Sequence, residues 1–144
     1  MNKNIKTTNL EKTLKKISTE EQLNTYITNT KDFTYTSFLD YFYALKKVKS
    51  LDKATLVKKS GLERTYCYHI LNGTKEPGRD KILCLCIAAQ LNILETNRSL
   101  KSAHLPQLYV KDNRDAIIQY ALQKQLTISE TNDLLSKHKL TILM

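Results

Sequence analysis

Residues 56–77 read LVKKSGLERTYCYHILNGTKEP, and this stretch decides the fold. Gly61 stands between two helical patterns, where it permits a left-handed or tight turn, and Leu62 directly after it fixes the corner by burying its side chain. Two helices must therefore cross at a steep angle. The second is expected from Glu63 to Asn72 and stops at Gly73. Within it, Cys67, Ile70 and Leu71 recur at the spacing of one helical face and point to a core. Arg64, Thr65, Tyr68, His69 and Asn72 are left for solvent or a ligand, and all five can hydrogen-bond.

Upstream, Asp52 is placed to cap the first helix of this pair, which holds Ala54, Leu56 and Val57. Before it, Ser37 caps a pattern of Phe38, Leu39, Phe42 and Leu45 that runs on into Lys46, Lys47 and Lys49, cations suited to a helix C-terminus. One continuous helix is expected there. Asn9 to Thr30 reads as one or two short polar helices, the second opened by a capping box of Ser18 and Glu21. Beyond the loop Thr74 to Gly78, Arg79 to Gln90 is apolar almost all round, as suits a helix buried between others. Further helices are expected over Leu94–Ala103, Asn113–Lys124 and Ser129–Lys139. Every apolar pattern has a period near 3.6. With three Gly and two Pro the chain also lacks the punctuation of a many-turned sheet, so the expected class is all-α.

The C-terminal half repeats itself. RDKILCLCIAAQLNILETNRSLKSAHL from Arg79 aligns without a gap on RDAIIQYALQKQLTISETNDLLSKHKL from Arg114, 35 residues later, with eleven identities. The shared Glu-Thr-Asn, Glu95–Asn97 and Glu130–Asn132, is required by no apolar periodicity, which favours duplication of a helical hairpin over a merely common pattern. A hairpin of this size cannot bury its apolar face alone, so the second copy extends the core of the first.

Composition bounds the function. The chain has 144 residues, 41% hydrophobic and 26% charged, the balance of a folded globular protein. Its formal charge of +9 suits a polyanionic partner, and residues 36–105 carry twelve Lys/Arg against six Asp/Glu. Cys67, Cys84 and Cys86 fall inside apolar helical stretches, not in spaced pairs, and read as small core residues; no metal site is expected. The start MNKNIKTTNLEKTLKK has no apolar region of a signal peptide, and no run approaches the ~18 apolar residues that span a bilayer. A cytoplasmic, reduced location without membrane association is expected. There is no Gly-rich phosphate loop and no carboxylate pair that looks buried, so neither enzymatic activity nor a cofactor is expected.

Leu56, Gly61, Leu62, Ile70, Gly73 and Pro77 stand in the register of the XRE family, and the stretch resembles the helix-turn-helix of that family, to which the phage lambda-type repressors belong. A longer likeness, carried by GLERTYCYHILNGTKEPGRDK and LYVKDNRDAII, extends over nearly the whole chain to XRE-type regulators of Gram-positive bacteria. The chain departs from the pattern at Glu63, where Ser or Thr usually caps the second helix, at Cys67, usually Val or Ile, and at Tyr68, usually small.

The resemblance implies a repressor-like five-helix DNA-binding domain over residues 36–105, preceded by a helical extension at 1–35 and followed by the helical hairpin at 106–144. It implies a transcriptional regulator, most simply a repressor, that binds double-stranded DNA as a homodimer, with the C-terminal hairpin as one candidate dimer surface. The start of Glu63–Asn72 then enters the major groove, where Arg64, Thr65, Tyr68 and His69 read bases. Lys49, Lys53, Asn72 and Lys75 contact phosphates. The alternative from a different class is a helical adaptor or ligand sensor that keeps the repressor fold and holds a protein or peptide with the C-terminal hairpin, aided by Tyr66 and Tyr68.

Overall fold

A computed structural model describes residues 37–144, in which eight helices follow one another and no strand occurs. The helices expected between Asn9 and Thr30, with the Ser18/Glu21 capping box, lie outside the described residues. Helix α1 spans Phe38–Ala44, α2 Lys46–Lys49, α3 Lys53–Ser60, α4 Arg64–Leu71, α5 Arg79–Ala88, α6 Ile93–Ser102, α7 Asn113–Lys124 and α8 Ile128–Lys137.

The helix starts are local chemistry. Ser37 accepts from the Asp40 N–H, Asp52 from Thr55 and Asp112 from Asp115, each filling one of the donors that the first turn leaves unpaired. The expected first helix is broken. Leu45 adopts an extended conformation (φ −76°, ψ 134°), and α2 restarts after it. Phe38 and Phe42 lie on the core side of α1, their ring centroids 5.0 Å apart, and the restart brings Val48 into the same core. Neither Gly nor Pro marks the break.

Helix α5 runs through the middle. Ile82 to Ala89 are all buried, and Ile82, Leu83, Cys84, Leu85 and Cys86 have no exposed surface. Each large side chain of this kind contributes on the order of 2 kcal/mol through burial. Helices α3, α6 and α8 enclose α5, while α1 packs on α6 and α7 on α6 and α8. Residues 37–144 form one compact unit in which α7–α8 is built onto α5–α6.

The two hairpins repeat each other atom for atom at several points. Asn92 with Glu95 and Thr127 with Glu130 form matching capping boxes at the starts of α6 and α8. Asn97 accepts from the Leu108 N–H at 2.9 Å, and Asn132 from the Leu143 N–H at 2.8 Å. Four helix ends turn through left-handed residues that are not glycine: Gln90, His104, Gln125 and Lys139. They form two pairs 35 residues apart.

Arg79 and Arg114 join the copies. Arg79 makes two bonds to Asp115, and Arg114 makes two to Asp80, so each arginine pairs with the aspartate of the other hairpin. Such a contact is reciprocal, as between two subunits about a two-fold axis. Each guanidinium also holds the chain end of its own hairpin, Arg79 through the carbonyls of Pro106 and Gln107, Arg114 through those of Thr141 and Ile142.

Candidate nucleic-acid interface

The corner between α3 and α4 is built from Ser60, Gly61 and Leu62. Gly61 has φ +70°, a left-handed conformation that strains a residue with a Cβ. A Cβ there would also sit 2.9 Å from Ile128 Cγ2 at the start of α8. The buried Ser60 hydroxyl donates to the Val57 carbonyl at 2.7 Å and accepts from the Leu62 N–H at 3.2 Å. Leu62 is half-buried against the core.

Helix α4 is held at both ends. Glu63 caps it with both carboxylate oxygens, which accept from Thr65 N–H at 3.0 Å and Tyr66 N–H at 2.7 Å. The Tyr66 and Thr65 amides hold its carboxyl below the usual glutamate range. The departure from the usual Ser or Thr cap therefore keeps the capping function in a charged form. At the other end Asn72 is the C-cap and Gly73, at φ +82°, closes a motif in which Thr74 and Gly73 donate back to His69 and Ile70. Tyr43 on α1 donates to the Leu71 carbonyl. Cys67, Ile70 and Leu71 face inward, as the spacing requires.

The expected base-reading residues lie on the outer side of α4 and differ in exposure. Arg64 and Thr65 are exposed at its first turn. Tyr68 and His69 are half-buried, and Tyr68 packs at the edge of the core. The Arg64 guanidinium lies 5.8 Å from the Tyr68 ring centroid, so the bulky Tyr68 forms a platform under the arginine. Lys49, Lys53, Asn72 and Lys75 are all exposed. Lys53 and Asn72 meet, with the Lys53 amine donating to Asn72 Oδ1 at 2.9 Å, which clamps the start of α3 to the end of α4. An ammonium has three donors, so Lys53 keeps two for another partner.

One residue of this surface was not among the expected ones. Lys81, in the first turn of α5, places its amine 5.3 Å from the Tyr66 ring centroid. It adds a cation beside α4 from a helix that is apolar after its first turn. Its only trace in the sequence is a lysine within the apolar run after Asp80.

Residues 52–81 hold seven Lys/Arg and four Asp/Glu. Asp52 and Glu63 are engaged as helix caps, and Arg79 and Asp80 in the pairs with the second hairpin. Lys53, Lys58, Lys59, Arg64, Lys75 and Lys81 enter none of the ion pairs between described residues. The surplus charge of the α3–α4 region is thus positive, on side chains that are exposed apart from the half-buried Lys81. Among the described residues no three His, Cys, Asp or Glu side chains are grouped to hold a metal, and no helix is long and apolar enough to cross a membrane. Comparison of the chain with protein-family models, with curated proteins and with solved structures gives no match in any of the three.

Proposed function

We propose that the chain is a sequence-specific DNA-binding regulator of the repressor type, which lays the leading end of α4 in the major groove. The observation that carries this reading is the join of α3 to α4 through left-handed Gly61 with Arg64 and Thr65 exposed at the first turn of α4. On this reading α1 with α2 forms the first unit of a repressor-like core, and α3, α4, α5 and α6 complete its five. Arg64 makes two parallel bonds to guanine O6 and N7, Thr65 and His69 reach neighbouring bases, and Tyr68 packs on a thymine methyl. Lys49, Lys53, Asn72 and Lys75, joined by Lys81, hold phosphates and set the register without reading sequence.

Binding of two copies to a near-palindromic site completes the proposal. The experiment is a salt titration of binding to random duplex DNA. For about four phosphate contacts the affinity falls roughly 100-fold between 50 and 200 mM salt, along a straight line in log–log form. An affinity indifferent to salt would remove the phosphate contacts and this reading with them.

One observation favours the adaptor as a second reading. Tyr109, Val110, Tyr120 and Met144, four of the five large apolar side chains exposed among the described residues, belong to residues 106–144. Apolar groups of this kind suit a protein partner or a second copy of the chain. Loss of a protein partner on substituting Tyr109 and Val110, with DNA affinity indifferent to salt, is the pattern expected of an adaptor.

A further inference from the structure

We propose that the groove between α3, the end of α5 and the start of α8 is a binding site for a small amphipathic anion, an apolar chain or ring that carries one negatively charged head. The groove has a volume of about 680 Å³, within the range of small-molecule sites. Its apolar lining comes from three segments remote in sequence: Gly61 at the corner, Ile87 and Ala88 at the end of α5, and Ile128 at the start of α8. Lys58 and Lys59 on α3 are its charged residues, and among the described residues no Asp or Glu lines it. Both lysines are exposed and enter no ion pair between described residues.

These features select one chemistry. The edges that Ile87, Ala88 and Ile128 leave exposed, 3%, 4% and 8%, floor the groove for a short apolar body, and two ammonium groups with no carboxylate among the described lining residues accept one anionic head. A cation of the same shape meets like charge, and a neutral analogue gains nothing from the lysines. The groove ends on the corner that sets the angle between α3 and α4, because Ile128 packs directly against Gly61. A ligand there acts as an effector of α4; this clause rests on the reading of α4 as the DNA-reading helix, whereas the binding site itself does not.

The test uses the full chain without DNA and three amphiphiles kept below their aggregation concentrations: decanoate, decanol and decyltrimethylammonium. Binding is followed through the methyl resonances of Ile87 and Ile128. Decanoate is expected to shift both saturably, with decanol and the cation about tenfold weaker. The double substitution Lys58→Gln/Lys59→Gln is expected to weaken decanoate about tenfold while the melting temperature stays unchanged. Equal binding by all three, shifts at Ile118 and Leu143 instead, or no shift at all would overturn the site. So would contacts, in the free chain, between the Ile128 methyls and any of residues 1–36, because the chain itself would then fill the groove. The effector role has its own arm: decanoate at saturation is expected to change DNA affinity, and an unchanged affinity with decanoate bound would overturn that role alone.

Discussion

Arg114 holds Asp80 by two bonds of 2.8 and 2.9 Å, and 35 residues away in both directions Arg79 holds Asp115 by bonds of 2.8 and 3.0 Å. The pairs differ in burial, since the Asp115 side chain is 8% exposed whereas the Asp80 side chain keeps 33%. Removing one partner of a buried pair strands the other charge. Asp115→Asn is therefore expected to cost about 2–3 kcal/mol and Asp80→Asn about 1 kcal/mol, as read by urea unfolding of the full chain.

The same pair sets an acid limit. Burial works against the charged form of Asp115, but the bonds from Arg79 and from the Tyr109 N–H outweigh it and hold the carboxyl below the usual range. A carboxyl lowered in the folded state contributes stability that is complete above its unfolded value, about pH 4, and is lost as pH falls through the lower folded value. Unfolding titrations at falling pH should show this loss, and Asp115→Asn should flatten it.

An alkaline limit follows from the thiols. Burial pushes Cys84 and Cys86 up to about 12. Both stay protonated in the folded chain while unfolded thiols ionise from about pH 8.5, so their contribution is full below that value and is lost as pH rises toward the folded one. Native protein at neutral pH should react with a thiol reagent only as fast as it opens. Replacing Cys67, Cys84 and Cys86 by Ala should cost stability, with no change in DNA preference.

Backbone strain gives a third contrast. Gln90 and Gln125 hold φ +56° and +54°, where glycine sits without cost. Gln90→Gly and Gln125→Gly are each expected to stabilise the fold by about 0.5–1 kcal/mol. Gly61→Ala goes the other way, losing about 2–3 kcal/mol, because φ is +70° and the new Cβ meets Ile128 at 2.9 Å. Thermal unfolding of the three variants checks the opposite signs.

Much of the fold was legible where the signal is local. Asp52 and Ser37 cap, Gly61 and Gly73 turn left-handed, and Cys67, Ile70 and Leu71 point inward through side-chain or backbone chemistry carried by those residues themselves. The break at Leu45 was not legible, since an extended leucine is imposed by packing and not by a Gly or Pro. The left-handed glutamines hid for the same reason. The reciprocal pairs were not legible: the repeat shows Arg79/Arg114 and Asp80/Asp115 as matching positions, but water can satisfy charges at a helix start, and only the packing of the two hairpins pairs each arginine with the other's aspartate. Lys53 with Asn72 and Lys81 with Tyr66 come from different helices, and only their packing brings them together.

On the proposed reading, the charges of α4 and of the loop after it have different roles despite one sign. Lys75 follows Gly73 in a loop suited to phosphates, so Lys75→Ala should weaken all duplexes alike and reduce the salt slope by about 1. Its effect is measured as affinity for unrelated sequences at several salt concentrations.

Selection of bound duplexes from a random library, run in parallel with the unchanged chain and with Arg64→Ala, tests the central claim most directly. The unchanged chain is expected to converge on one motif, and Arg64→Ala to lose preference at one base position per half-site, a change of about 1–3 kcal/mol. Convergence of both proteins on the same motif with the same preference would take base reading away from Arg64. No convergence by the unchanged chain would contradict sequence-specific DNA binding itself.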